Sequence, residues 1–418
     1  MLYIALGILI SIALIIKPIL LLMLCVLLGI IFIGVALPNL FIWLALMSVI
    51  FSPQCVLIEK MYGIELDSFQ KAFILLALLI YFLVYGARWK DTQPIYVYLI
   101  MLLFTFILSS WHFNLELYQP FKTFAGLVLG WLLFCIKWDS KFKNKYLLSI
   151  TLMPILSVFI GIIFNFMDLY PLYIIEYTGA FRLQGLSMPP HLAMLAAVGF
   201  SVAIIQAAEN KKLYLLIAII NFTILVATGT RGALIFCLLV GILYVLNQLK
   251  NVLYGKVFSL ISLIIFILIV SVVAHAYLPQ MQARIMNNSF EDSSFNSSGR
   301  LEAWKFFFSE ALVNPWFGRG LGSSTAANDG ELNSSFRVPH NEYLRIFFDG
   351  GLVGLLLVLS SYYIVFKSLL KHIEPMKKLY LTAFLLGFAL YSFVDNTLST
   401  PQFQIPFFWY LGILKSKK

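Results

Sequence analysis

The chain has 418 residues, of which 61% are hydrophobic and 11% are charged. A soluble globular protein is excluded, because such proteins are about half apolar and about a quarter charged. The formal net charge of +10 does not indicate a nucleic-acid partner, since the basic residues lie in short segments between apolar runs rather than in one basic domain.

Apolar runs recur along the whole chain, separated by short polar segments. A helical crossing of a bilayer needs about 20 apolar residues, so each run is a candidate transmembrane helix. The pattern predicts an all-α integral membrane protein of about 12–14 transmembrane helices, and the lower number applies if two of the first three runs are re-entrant or interfacial. The runs are Leu2–Ile16, Ile19–Leu37, Leu40–Phe51, Ala72–Tyr85, Tyr96–Ser110, Phe124–Ile136, Tyr146–Phe166, Leu192–Ala207, Leu213–Ala227, Ala233–Val245, Val257–Tyr277, Leu352–Phe366, Leu379–Phe393 and Phe403–Leu414.

Lysine and arginine in the short loops predict the orientation, because cytoplasmic loops retain positive charge. Alternate loops form two sets, and the lysine-rich set includes the tail with Lys415, Lys417 and Lys418. The other set is poor in basic residues but contains Arg182 and Arg231. Both termini are therefore expected to be cytoplasmic.

One long polar segment, Leu278–Pro339, falls on the outer side of the membrane in this topology. It divides the chain into an N-terminal transmembrane bundle at 1–277, a large outer loop at 278–340 and C-terminal transmembrane helices at 341–418. Helical spacing within the loop predicts a short amphipathic helix along the membrane surface, with Ser298 as its N-cap. Its apolar positions are Leu301, Trp304, Phe308, Ala311 and Leu312, and Pro315, Gly318, Gly320 and Gly322 end it.

Metal-dependent chemistry is not indicated by the sequence. The outer loops contain no Asp-x-Asp and no paired histidines, which are common ways to hold a divalent cation. The four cysteines are widely scattered and form no disulfide or zinc pattern. We expect a metal-independent site with no cofactor.

Two arginines of the outer side stand at the start of predicted helices. The positive end of a helix dipole disfavours a cation, so Arg231 and Arg300 lie against the local field unless an anion is bound. A guanidinium donates two hydrogen bonds to phosphate oxygens, so the pair is suited to hold a diphosphate. The alternatives are an interfacial anchor for Arg231 and a salt bridge to Glu302 or a lipid phosphate for Arg300.

Further polar residues on the outer side complete the candidate site. His340, where the loop re-enters the membrane, is the natural general base for a hydroxyl nucleophile, although a lone histidine is usually structural. Arg182, in another outer loop, supplies a third positive charge to the same face. Arg345 stands at helical spacing from Glu342 and Asp349 and is interpreted as a member of an ion pair.

Three segments resemble motifs of the O-antigen ligase and O-antigen polymerase superfamily, bacterial membrane glycosyltransferases with one large periplasmic loop before the last spans. They are Thr230-Arg231-Gly232-Ala233-Leu234, the loop helix from Gly299-Arg300-Leu301 through Asn314-Pro315 and Gly318-Arg319-Gly320, and His340-Asn341 followed by Gly351-x-x-Gly354. The motifs are short, and their order, spacing and shared outer face carry the resemblance.

The resemblance implies transfer of a glycan from an undecaprenyl-diphosphate carrier to an acceptor hydroxyl, without metal and with inversion at the anomeric carbon. His340 would activate the acceptor, Arg231, Arg300 and Arg182 would bind the diphosphate, and Asn341, Gly351 and Gly354 would have supporting roles. It also implies a multi-pass protein of the bacterial inner membrane, in contact with membrane lipids, whose active site faces the periplasm.

The acceptor is left open by the sequence. A ligase transfers to lipid A–core, whereas a polymerase of the same superfamily transfers to a second lipid-linked glycan. A protein O-oligosaccharyltransferase is disfavoured because those relatives often carry a further soluble C-terminal portion, whereas this chain ends within a few residues of its last predicted span. A lipid-linked glycan flippase is disfavoured because the predicted spans contain few ionisable residues.

Overall fold

Helices make up nearly all of the structure, a computed structural model that describes residues 28–57, 60–61, 64–86, 93–111, 118–175, 179–209, 211–286, 300–326, 338–371 and 373–415. We number the helices of these residues in chain order. They are α1 (Leu28–Ala36), α2 (Pro38–Met47), α3 (Pro53–Val56), α4 (Leu66–Tyr85), α5 (Gln93–Trp111), α6 (Tyr118–Cys135), α7 (Lys143–Phe166), α8 (Pro189–Ala207), α9 (Lys212–Ala227), α10 (Arg231–Leu253), α11 (Val257–Met286), α12 (Arg300–Ala311), α13 (Ser323–Ala326), α14 (Glu342–Leu370), α15 (Pro375–Ser392) and α16 (Pro401–Lys415).

Short elements connect some of these helices. Single 3-10 turns occupy Ser48–Ile50 and Ser140–Phe142. Strand β1 (Lys60–Met61) pairs antiparallel with β2 (Ile64–Glu65), and β3 (Tyr173–Ile175) pairs antiparallel with β4 (Phe181–Leu183). The second hairpin matters for the site, because β4 carries Arg182.

The all-α integral membrane fold predicted from the sequence is confirmed. Among the described residues, six helices are long and apolar enough to cross a membrane, and the bent pair Leu28–Ala36 and Pro38–Ile50 makes a seventh if it is one span. Tyr98–Ser109 and Lys212–Ala227 are shorter apolar helices. The predicted total of 12–14 spans and the three-part division of the chain stay predictions, since Leu2–Ile16 lies outside the described residues.

The last helix forms the centre of the bundle. Every residue of α16 from Pro401 to Leu414 is buried, and the helix packs against α6, α7 and α8. Aromatic rings fill the surrounding space; Phe403, for example, lies between Phe236 of α10 and Phe388 of α15, with ring centroids 5.4 and 6.0 Å away. Such packing holds α16 and the chain that precedes it in a fixed position.

The loop helix differs in part from its prediction. Helix α12 forms where helical spacing placed it, and of the predicted stripe Ala311 is buried and Trp304 is half-buried, while Ala303 and Phe307 complete the buried face. Leu301, Phe308 and Leu312 are exposed. Aromatic residues occupy three consecutive positions from Phe306, so periodicity alone does not select a face. The predicted N-cap Ser298 lies outside the described residues, and α11 continues past the predicted Tyr277 to Met286.

Candidate functional site

The candidate site is built around residues 393–400, which connect α15 to α16 and which we call the 393–400 connector. The connector is anchored by Glu342, the fully buried first residue of α14. Its Oε1 accepts hydrogen bonds from the backbone N–H groups of Leu398 at 2.7 Å and Ser399 at 3.2 Å. The start of α14 and the connector are therefore held together, which fixes the residues that precede each of them.

The charge of Glu342 is balanced by Arg345 on the next turn of α14. Arg345 Nε donates to Glu342 Oε2 at 2.7 Å, so the ion pair predicted from the sequence is confirmed. The expected second partner, Asp349, has other contacts: it accepts hydrogen bonds from the backbone N–H groups of Gly322 and Ser324 and from the Ser323 hydroxyl. Asp349 thereby ties the short helix α13 to α14.

His340 lies beside the connector in an unusual backbone conformation. Its φ of 46° falls in the left-handed region, which is uncommon for a residue with a side chain and is often found at functional sites. The side chain is one-third exposed. Its Nδ1 lies 3.4 Å from Asp395 Oδ1 and 3.4 Å from Asn396 Nδ2. One ring nitrogen is thus turned toward the connector.

Asp395 is the buried acidic partner of this histidine, with only 4% of its surface exposed. Its carboxylate also accepts hydrogen bonds from the Tyr391 hydroxyl at 3.2 Å and from the Asn396 N–H at 2.9 Å. Burial raises the pKa of the Asp395 carboxyl, but the hydrogen bond and charge of His340 and the charge of Arg300 outweigh burial, so the pKa lies below its ordinary value. Asp395 is therefore ionised at neutral pH.

The sequence reasoning missed Asp395. The signal was present, since Asp395 is an acidic residue between the apolar runs Leu379–Phe393 and Phe403–Leu414. An ionisable residue in such surroundings is expensive to bury and is a functional candidate by default. Asp395 is 55 residues from His340 in the sequence, so no local motif pairs the two residues.

Arg300, the first residue of α12, reaches the same connector. Its Nη1 donates to the carbonyl oxygen of Val394 at 2.5 Å. Four residues later, Trp304 Nε1 donates to the carbonyl oxygen of Pro339 at 2.7 Å. The loop helix therefore contacts both the connector and the residue before His340. The alternative salt bridge of Arg300 to Glu302 is not among the ion pairs of the described residues.

Arg231, half-buried, is the first residue of α10, and the start of this helix packs on the connector. A Cβ atom on the neighbouring Gly232 would lie 2.9 Å from Tyr391 Cε2 and 3.2 Å from Val394 Cγ2. Because only a glycine allows so close an approach, α10 meets the end of α15 at this point. Arg231 and Arg300 thus belong to helices that both contact Val394.

Arg182 lies beside the turn that precedes Arg231. It is buried in β4 and donates from Nε to the carbonyl oxygen of Thr228 at 2.7 Å and from Nη2 to Thr230 Oγ1 at 3.1 Å. Residues 228–230 form the turn directly before Arg231. The geometry indicates that Arg182 fixes this turn, and its charge is directed at protein acceptors there.

The three supporting residues have separable structural roles. Asn341 caps α14, since its side chain accepts from the Leu344 N–H at 3.1 Å. Gly351 has a φ of 65° and breaks α14. A side chain on Gly351 would overlap the carbonyl group of Trp316, whereas Gly354 has only Met101 Sδ within 4 Å, at 3.6 Å.

The kink of α14 at Gly351 lies in contact with the glycine-containing segment 315–320, although the two are far apart in the sequence. Backbone hydrogen bonds join Leu352 N to Pro315 O at 2.7 Å and Arg319 N to Phe348 O at 3.0 Å. The segment that follows the loop helix is therefore fixed to α14, the helix that begins two residues after His340.

Within the ranges that the structure describes, no group of three or more His, Cys, Asp or Glu is placed to hold a metal ion. Metal independence stays a prediction.

Comparison with known proteins gives two matches. Residues 213–359 match the family model described as O-antigen ligase. The chain is also similar to a protein of Rickettsia conorii named "Putative polysaccharide ligase", with 24% identity over 301 residues that cover 67% of this chain and 70% of that protein. The matched family region contains Arg231, Arg300 and His340, whereas Arg182 and Asp395 lie outside it.

The fold and the site define a multi-span helical membrane protein in which Arg300 and a histidine–carboxylate pair contact one connector, and the start of the helix that carries Arg231 packs on the same connector. The two matches confirm the resemblance to the O-antigen ligase superfamily predicted from the sequence motifs.

Proposed function

We propose that the protein is a polysaccharide ligase, an O-antigen ligase that transfers a glycan from an undecaprenyl-diphosphate carrier to a hydroxyl of lipid A–core. The observation that carries the proposal is the pairing of His340 with the ionised, buried Asp395 beside the Arg300 contact. Similarity to the O-antigen ligase family model and to a protein named as a polysaccharide ligase supports a glycosyl-transferring enzyme.

Asp395 sets the state of the imidazole in this proposal. A carboxylate that faces Nδ1 favours the tautomer with its proton on Nδ1, which leaves the lone pair of Nε2 available. Nε2 is then the general base toward the acceptor hydroxyl, and Asp395 stabilises the imidazolium that forms. The 3.4 Å separation is long for a hydrogen bond, as expected of a catalytic pair before substrate binds.

The proposed transfer is a single displacement at the anomeric carbon of the donor glycan. The acceptor oxygen forms a bond to the anomeric carbon while the bond from that carbon to the carrier's phosphate oxygen breaks, and the acceptor proton moves to Nε2 of His340. Undecaprenyl diphosphate leaves with the bonding electrons. Arg231 and Arg300 stabilise its growing negative charge, which is the role expected of fixed positive groups at a leaving phosphate. Attack from the opposite side inverts the anomeric configuration.

Arg182 has an indirect part in this scheme. Its hydrogen bonds to Thr228 and Thr230 hold the turn that places Arg231 at the start of α10. We therefore assign it as a positioning residue rather than a phosphate ligand. The proposed setting is the bacterial inner membrane, with both termini cytoplasmic and the site on the periplasmic face.

The test uses purified protein and a radiolabelled undecaprenyl-diphosphate glycan. In one arm lipid A–core is added, and in the other the donor is alone. A ligase gives a labelled product of donor glycan plus core and no growth without core. A ladder of longer lipid-linked glycans from donor alone would identify a polymerase and overturn the lipid A–core assignment. Absence of transfer in both arms would overturn the glycosyltransferase proposal.

A further inference from the structure

An apolar groove runs between α14 and α15, with a cavity volume of about 700 Å³. Its wall is made of aromatic and aliphatic side chains, including Tyr362, Phe366, Leu385, Leu386 and Phe388. Three hydroxyl groups along it donate within the protein: Tyr343 to Ala389 O, Thr382 to Lys378 O and Ser392 to Phe388 O. The groove therefore offers a surface suited to hydrocarbon.

One end of the groove is continuous with the candidate site. Glu342, Ser392 and Leu398 line that end. Glu342 is two residues after His340, and its carboxylate accepts from the Leu398 N–H of the 393–400 connector. Lys367, Lys371 and Lys378 line the other end. A chain that lay in the groove would begin beside the proposed diphosphate site and extend away from it toward the lysines.

The length of the groove constrains its occupant. From Lys378 to Ser392 the rise along α15 is about 21 Å at 1.5 Å per residue. One leaflet contributes only about 15 Å of hydrocarbon to a bilayer core of about 30 Å. A chain that fills the groove therefore passes the bilayer midplane, which fits a long polyprenyl chain better than the acyl chain of a phospholipid confined to one leaflet.

We propose that this groove binds the isoprenoid chain of the polyprenyl-diphosphate donor. The inference rests on the proposed function, which places the diphosphate at His340 and Arg300. It adds a docking surface for the lipid part of the donor: the groove aligns the carrier so that its head group meets the connector. Affinity for the donor then depends on the length of its lipid chain.

A pair of leucines on α15 provides a matched test. Leu386 lines the groove and is 55% exposed, whereas Leu390, one turn later, is 50% exposed and is not among the groove-lining residues. Leu386→Trp narrows the groove, and Leu390→Trp adds the same side chain outside it. With donors that carry the same glycan on either an undecaprenyl or a one-isoprene diphosphate, the latter too short to reach Leu386, we expect Leu386→Trp to raise the KM of the long-chain donor about tenfold, the loss expected when about two methylene groups are no longer buried. The short-chain KM and both KM values of Leu390→Trp should be unchanged.

A second measurement does not depend on transfer. A photoreactive undecaprenyl diphosphate without glycan is crosslinked to the wild-type protein in vesicles, and the labelled peptides are identified by mass spectrometry. Label on the groove-lining parts of α14 and α15, reduced by Leu386→Trp, supports the proposal. Label elsewhere, or label that an excess of phosphatidylethanolamine removes as readily as undecaprenyl diphosphate does, overturns it.

The two proposals fail in different ways. Groove labelling without glycan transfer to either acceptor would leave the docking surface standing and overturn the proposed function. Normal long-chain KM in Leu386→Trp, in a protein that loses transfer on substitution of His340, would overturn the docking surface alone.

Discussion

His340 Nδ1 lies 3.4 Å from Asp395 Oδ1, across 55 residues of sequence. The contact joins the end of the polar loop to the 393–400 connector. Both sides are fixed: Trp304 holds the residue before His340, and Glu342 holds the connector. The pair is thus imposed by the surrounding structure, which retains the left-handed backbone of His340 at this position.

The first prediction concerns the carboxylate of this pair. Asp395→Asn keeps the size of the side chain but removes its charge, so the imidazole loses its orienting acceptor and the imidazolium loses its counter-charge. We expect kcat to fall by about 100-fold with a much smaller change in KM. Steady-state transfer by the purified protein measures both constants. Asp139→Asn, at an acid that accepts from the Lys141 N–H far from the site, is the control. A fall confined to KM would contradict the positioning role.

The second prediction follows from the lowered pKa of Asp395. A carboxyl whose pKa is lower in the folded than in the unfolded state contributes stability above its unfolded pKa, and that stability is lost as pH falls through the folded pKa. The difference in Tm between the wild type and Asp395→Asn should be constant from pH 7 to about pH 5 and should narrow below about pH 4. Thermal unfolding in detergent measures it. A difference that grows on acidification would show that Asp395 is not stabilised as an anion.

Much of the fold could be predicted because apolar run length is a strong signal in a membrane protein. The run Tyr146–Phe166, for example, lies inside α7. The buried face of α12 could be predicted only in part, because Phe306, Phe307 and Phe308 are consecutive and the contacts that select Phe307 come from Phe348 on α14.

The site was predictable in its residue types but not in its connections. Arg231, Arg300 and His340 could be chosen from charge and position, yet nothing local shows that Val394 and Asp395 would join them. The contact of Arg300 with Val394 joins residues 94 positions apart, and the contact of His340 with Asp395 joins residues 55 positions apart. The sequence predicts that Arg182 binds the diphosphate. Its hydrogen-bond partners in the structure, the Thr228 carbonyl and the Thr230 hydroxyl, are neutral groups that no sequence motif identifies.

The third prediction tests the role of Arg182. Arg182→Gln removes the hydrogen bonds to Thr228 and Thr230 and should loosen the turn before Arg231, raising the KM of the donor and lowering Tm. Hydrogen bonds from a charged donor contribute about 1.5–3 kcal/mol each, so the loss of stability should reach about 2 kcal/mol. Denaturant titration and donor kinetics measure the two effects.

A double-mutant cycle separates this role from direct phosphate binding. Thr230→Val removes one acceptor, and its effect should be smaller. If Arg182 acts through the turn, the combined variant should lose less than the sum of the single losses. Strict additivity in donor KM would instead point to a separate contact of Arg182 with substrate.

The fourth prediction compares Gly351, at the kink of α14, with Gly354, which follows the kink. Gly351→Ala places a methyl group against the Trp316 carbonyl at a positive φ and should destabilise the protein by about 2 kcal/mol or more. Gly354→Ala meets only Met101 Sδ at 3.6 Å and should be tolerated. Expression and Tm of the two variants provide the measurement. Equal loss in both would mean that the kink does not depend on Gly351.

The fifth prediction concerns His340 itself, the residue on which the account depends. His340→Gln preserves a polar side chain of similar size but cannot accept a proton at neutral pH. His275→Gln makes the same change at an exposed position of α11 and serves as the control. Both variants should bind the lipid-linked donor as the wild type does.

The most direct measurement is the single-turnover rate of glycan transfer by these two variants at saturating donor and acceptor. We expect the rate of His340→Gln to fall by about 100- to 10,000-fold, the usual contribution of a general base, while His275→Gln keeps the wild-type rate. A His340→Gln protein that transfers glycan at a near-normal rate would contradict the assignment of His340 as the base.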